Sequence, residues 1–308
     1  MERNTMKYKV KQYLMFAGVS TVLFCAVVIV PFIYGLYLTF TSWDGVSKEK
    51  PFVGLANYIS TFQDAAYWQA LGRTLVYSVI AVILVNVVAF FLAYLLTSGI
   101  KGQNFFRAGF FIPNLIGGIV LGYVWKFVFN RAFVALGKSL SIGALSTSWL
   151  ATTNGAMACL IIVSVWQYAG YMMLIYVAGF MSVSKSLMEA AQIDGAGYLK
   201  SFFKISLPSA SPAIITVSLF SFVWYWNESY LTQMYVSGVT TKSGWSSLVI
   251  KLGDFASNYS DYAQTATTAV TSINESINMA GTMLSILPLL VMYFVLVESI
   301  DRTGITGE

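Results

Sequence analysis

Residues 189–208, EAAQIDGAGYLKSFFKISLP, form an amphipathic, charged, glycine-hinged stretch in a chain that is otherwise mostly apolar. Ser186-Leu-Met-Glu189 just before it has the capping-box pattern, in which the hydroxyl satisfies an amide one turn in and the carboxylate reaches back, so a helix is expected to begin there. Gly195-Ala-Gly197 ends that helix early, because glycine readily takes the left-handed conformation of a helix C-terminus. From Tyr198 a second short helix is expected. Tyr198, Leu199, Phe202, Phe203 and Ile205 lean one way and Lys200, Ser201 and Lys204 another, until Leu207-Pro208 ends it. Two short helices with a sharp bend can insert the small side chains Ala190 and Ala191 into a groove of another protein, or lie on a membrane surface through their aromatic face. Periodicity leaves both uses open.

The surroundings place this stretch. Of 308 residues 57% are hydrophobic and 10% charged, far less charge than a water-soluble domain carries, so the chain is read as an integral membrane protein. Its apolar runs match the roughly 20 residues an α-helix needs to cross the hydrocarbon layer, and strand-like alternation is absent, so the expected fold class is all-α and polytopic. A formal charge of +5 does not point to nucleic acid, because the basic residues are scattered over loops without an aromatic platform. Histidine is absent, which removes the commonest metal ligand and general base, and no metal site is expected. Cys25 and Cys159 both lie within apolar runs and read as small hydrophobes.

Six transmembrane segments are expected, at about 13–40, 74–97, 105–129, 156–181, 210–231 and 279–299. The first is too long for a signal-peptide core and is read as a retained helix. An even number puts both termini on one side. Arg3, Lys7, Lys9 and Lys11 in the 1–12 tail make that side the cytoplasm, with the 300–308 tail beside it. Segments 41–73, 130–155 and 232–278 then lie outside, while the 98–104 turn and the 182–209 loop face inward. Pro31, Pro113, Pro208, Pro212 and Pro288 sit in or at the ends of these segments, where kinks either line a pathway or reflect ordinary packing. Gly118-x-x-x-Gly122 is read as a close helix packing site.

Glu189-Ala190-Ala191, Gly195, Ile205 and Leu207-Pro208, at these spacings in an inward loop before the penultimate span, resemble the EAA loop of permease subunits of bacterial ABC importers. Phe52-Val-Gly-Leu-Ala-Asn-Tyr58, the stretch Phe111–Trp125 and Trp224-Tyr-Trp-Asn-Glu228 are similar to the carbohydrate-uptake branch, the first two to its maltose-type first permease as found in oligosaccharide and multiple-sugar systems. The resemblance implies a coupling loop carried by Glu189, Ala190, Ala191, Asp194, Gly195, Ile205, Leu207 and Pro208 that docks on a cytoplasmic ATPase. It implies as partners a second, homologous permease forming a heterodimer, two ATPase subunits and an external solute-binding protein. The chain is therefore expected to be no enzyme and to hold no cofactor, ATP and Mg being bound by the partner ATPase. Leu136-Gly-Lys-Ser139 is no phosphate loop, since Ala132 stands where the motif needs glycine.

Glu228 is the one acid deep in an apolar segment, and a carboxylate there faces a cavity or a partner by default. With Trp224, Trp226, Asn227 and Tyr230 it forms a set suited to sugar, whose apolar C–H face stacks on aromatic rings while amide and carboxylate bond its hydroxyls. An interfacial aromatic belt with Glu228 snorkelling outward is the competing reading. In the preceding span Gln167 and Tyr171 share a helix face, and the resembled family contacts sugar from these two helices. A stand-alone ion-coupled sugar carrier is the alternative function, but it needs intramembrane acids or histidines beyond Glu228.

Overall fold

The apolar runs fold into helices in the computed structural model, which describes residues 12, 15–45, 47–181, 193, 197, 200, 204, 207–243, 246–253 and 275–302. Of the coupling-loop residues, Glu189, Ala190, Ala191, Asp194, Gly195 and Ile205 lie outside the described residues; Leu207 and Pro208 form a short helical turn, Leu207–Ser209. Helices α1 (Gly18–Leu38), α2 (Ala56–Gln63), α3 (Ala65–Thr97), α4 (Gln103–Leu115) and α5 (Gly118–Ser139) are followed by α6 (Thr153–Met181), α7 (Ser211–Trp226), α8 (Tyr230–Ser243) and α9 (Glu275–Arg302). Among the described residues the only strand-like pairing is an isolated antiparallel bridge between Thr41 and Phe52.

Five of the helices have the length and apolar character to cross a membrane: α1, α3, α5, α6 and the Glu275–Glu298 part of α9. Apolar α7 is shorter, at 16 residues. The expected third span, 105–129, is not one helix. Pro113 lacks the N–H that would bond one turn back, α4 stops at Leu115, and Ile116 and Gly117 are extended (ψ 124° and 136°) before α5 begins. The expected fifth span, 210–231, is likewise interrupted at Asn227–Ser229, between α7 and α8. Helices also run past the apolar windows: α5 continues to Ser139 and α3 starts at Ala65, because polar residues with good helix propensity extend a helix beyond the segment that hydropathy marks. In α1 the turn Cys25–Ile29 widens to a π-helix immediately before Pro31, where the ring removes one rung of the hydrogen-bond ladder.

The chain divides into two units, residues 1–67 with 252–285 and residues 68–251 with 286–308. In the first, the end of α1 leaves carbonyls that need partners. Asn57, buried on α2, donates its amide to Thr39 O and Thr41 O, both at 2.7 Å, and Tyr58 Oη lies 2.9 Å from Thr39 Oγ1. Ser276 at the start of α9 binds Trp43 on both sides, accepting its N–H at 3.1 Å and donating its own to the Trp43 carbonyl at 3.3 Å. Asn57 and Tyr58 of the Phe52–Tyr58 stretch therefore hold a loop in place.

In the second unit α6 is the central helix. Ala81, Val85, Ala89 and Ala93, one stripe of α3, are fully buried in the core with it. Asn86 accepts from the Tyr176 hydroxyl and, at 3.4 Å, from Ser218 Oγ, so a polar knot joins α3, α6 and α7. α4 crosses α6 at Gly170, where a Cβ would fall on the Phe110 carbonyl. Of the Gly118/Gly122 pair, Gly122 makes the close packing: an added Cβ would sit 2.7 Å from Met234 Sδ of α8, while Gly118 has open space. Leu136–Ser139 is the helical end of α5, with Gly137 against the Leu145 backbone, a geometry unlike a phosphate-cradling loop.

Candidate functional site

The break between α7 and α8 and the end of α4 border one cleft of about 530 Å³. Asn114 reaches it from the end of α4, Tyr168 and Tyr171 from α6, and Val223, Trp224, Asn227 and Glu228 from the end of α7 and the link that follows. Broken helices at membrane depth are tolerated where the freed backbone lines a cavity, and they place helix ends and polar side chains at a ligand.

The link Asn227–Ser229 is built so that its polar groups are used. Asn227 closes α7 with its N–H on the Val223 carbonyl at 3.2 Å and its side-chain Nδ2 on the same oxygen at 2.8 Å. That leaves the amide oxygen of Asn227 outside this bond. Glu228 N–H donates to Tyr225 O at 3.3 Å, and Glu228 Oε1 accepts the N–H of Leu231 at 2.9 Å. The carboxylate thus caps α8, where the positive end of the helix favours an anion, and walls the cleft at the same time. Thr232 Oγ1 and Gln233 N return to the carbonyls of Glu228 and Ser229 at 3.2 and 2.8 Å.

One wall of the cleft is aromatic. The Trp224 ring lies 5.0 Å from Tyr168 and 5.2 Å from Tyr171, tilted by 45° and 50°, with Phe220 stacked on it at 6.3 Å. Behind this wall Tyr77 Oη and Ser164 Oγ are 2.8 Å apart, and Tyr225 meets Tyr77 edge to face at 5.8 Å. These contacts tie α3, α6 and α7 together beneath the ring cluster.

Of the residues singled out in the sequence, Trp224, Asn227, Glu228 and Tyr171 come together here. Trp226 does not: it is 2% exposed and stacked on Phe222 at 5.4 Å, because two positions along a helix turn the side chain through about 200°, to the opposite face. Tyr230 is 63% exposed and opens α8 without lining the cleft. Gln167 is buried one turn before Tyr171 and away from the cleft, and among the described residues its Oε1 has no hydrogen-bond partner. Asn114, Tyr168 and Val223 are the additions. Asn114 carried a signal, a polar residue between Pro113 and Gly117-Gly118 in an apolar segment. Among the described residues no group of three or more His, Cys, Asp or Glu side chains is placed to hold a metal ion.

Residues 86–303, which include the whole cleft, match the family of binding-protein-dependent transport system inner membrane components. The chain belongs to that family. A probable starch degradation products transport system permease of Thermoanaerobacterium thermosulfurigenes is 39% identical over 208 residues, 68% of this chain and 70% of that protein. A multiple sugar-binding transport system permease of Streptococcus mutans is 35% identical over 187 residues, 61% of this chain and 64% of that one. The crystal structure of a bacterial ABC transporter involved in the import of the acidic polysaccharide alginate contains a chain with this fold, at a TM-score of 0.69 and 16% identity, covering 99% of this chain and 100% of that one. The family places this multi-pass membrane chain in the bacterial inner membrane, in a transporter that works with a binding protein.

Proposed function

We propose that this inner membrane component is the first permease of a bacterial ABC importer and moves an oligosaccharide through the cleft of α4, α6 and α7 by alternating access. Its own contribution is the pathway and the coupling arm; a second, homologous permease completes the pathway, two separate ATPase subunits bind ATP and Mg and hydrolyse the nucleotide, and an external solute-binding protein delivers the sugar. Six spans with both termini in the cytoplasm put the 182–209 loop on the ATPase side. The observation that carries the reading is the cleft itself: a tilted aromatic trio beside two amides and one carboxylate, at a helix break and the end of α4 in a family member. Aromatic rings accept the apolar face of a pyranose, and the amides and carboxylate bond its hydroxyls. The names of the relatives, starch degradation products and multiple sugars, agree with that class.

The test is labelled-oligosaccharide uptake into proteoliposomes holding the complete importer. Uptake requires ATP and the binding protein, and Trp224→Ala raises the apparent KM for the sugar about tenfold, the cost of one lost stacking partner. Uptake without an ATPase, or a Trp224→Ala variant with unchanged kinetics, contradicts the proposal.

A further inference from the structure

We infer that the cleft selects neutral, hydroxyl-rich saccharides over acidic ones, with Glu228 as the discriminating group; the inference rests on the saccharide reading above. Among the described residues no lysine or arginine lines the cleft. Its polar surface is rich in acceptors. Asn227 engages one of its two side-chain N–H groups in the bond to Val223 O, which leaves its amide oxygen and the other N–H outside that bond. Asn114 sits one residue before the end of α4 and Asn227 caps α7, so both lie at helix C-termini, where carbonyls carry partial negative charge. The N-terminus of α8 would attract an anion, but Glu228 already occupies it through the bond to Leu231 N–H. That bond also fixes the carboxylate in position.

A neutral saccharide brings hydroxyl protons to these acceptors, each one satisfied by a donated O–H. A uronate brings a carboxylate with no proton to give, next to a fixed carboxylate. Glu228 is only partly exposed, so water and salt screen the repulsion less than they would at an open surface. Two like charges about 4 Å apart weaken binding by about tenfold or more.

The experiment measures equilibrium binding of radiolabelled oligosaccharides to the assembled importer in nanodiscs, without the external binding protein, so that the permeases alone select. The probes are neutral gluco-, xylo- and arabino-oligosaccharides and galacturono- and glucurono-oligosaccharides of matched length. At least one neutral probe binds, the uronates bind about tenfold or more weakly, and Glu228→Gln closes that gap. Glutamine keeps an oxygen for the Leu231 N–H, so the cap survives while the charge goes. Uronates that bind the wild type as tightly as neutral probes, or a gap that persists in Glu228→Gln, overturn the charge selection and leave the saccharide site standing. Absence of binding by every saccharide overturns the saccharide reading as well.

Discussion

Gly170→Leu is expected to prevent the second unit from folding as described. The Cβ added at Gly170 meets backbone, falling on the Phe110 carbonyl and 3.0 Å from Phe111 Cα. No rotamer change relieves a clash with backbone, so α4 must move off α6 as a body. Overpacking of this kind costs about 3 kcal/mol or more. The thermal midpoint of the purified importer should fall by on the order of 10 °C, with loss of monodisperse protein on size exclusion. Because α4 also carries Asn114 to the cleft, whatever protein survives should bind sugar poorly. Gly109→Ala on the same helix is the control: nothing lies within 4 Å of its added Cβ, and replacing a helical glycine by alanine is mildly favourable. A Gly170→Leu importer as stable as the wild type would contradict the close α4/α6 crossing.

The second large effect belongs to the coupling arm. Gly195 is the hinge expected between the two short helices of the 189–208 stretch, and Trp in its place removes the left-handed turn and adds bulk where a partner must fit. A loss of about 3 kcal/mol in docking lowers the docked population roughly a hundredfold. Sugar uptake in Gly195→Trp should therefore fall to background while the amount of permease in the membrane stays unchanged, and the ATPase should no longer co-purify. Wild-type uptake in that variant would remove the docking role from the loop.

Hydropathy made the helices legible because twenty apolar residues have few other uses in a chain so poor in charge. It could not show the two helix interruptions, one of which borders the cleft. Averaging over a window hides Ile116-Gly117 between two apolar stretches, and the local signals, Pro113 ahead and the Gly117-Gly118 pair, are shared with many unbroken kinked helices. The same holds at Asn227–Ser229, where Glu228 reads as a lone intramembrane acid until its bond to Leu231 N–H shows that it also starts a helix. Trp224 and Trp226 were indistinguishable in composition, and only the neighbours decide which ring faces the cleft and which stacks on Phe222. Gln167 and Tyr171 share a face by spacing, yet one helical turn separates the open part of that face from the buried part. Asn57 shows the converse: part of a stretch quoted for its family likeness, it spends its side chain on two backbone carbonyls.

The most direct test of the account is the reactivity of one cysteine placed in the cleft. Val223 lines it through an apolar side chain, so Val223→Cys in a background with Cys25→Ala and Cys159→Ala introduces a thiol without removing a polar contact. In the complete importer, a transported oligosaccharide should slow modification of that thiol by a water-soluble maleimide, and trapping the ATPase with ATP and vanadate should change the rate again as the cleft turns to the other side. A labelling rate that neither sugar nor trapped nucleotide alters, in an importer that still transports, would show that the sugar takes another path.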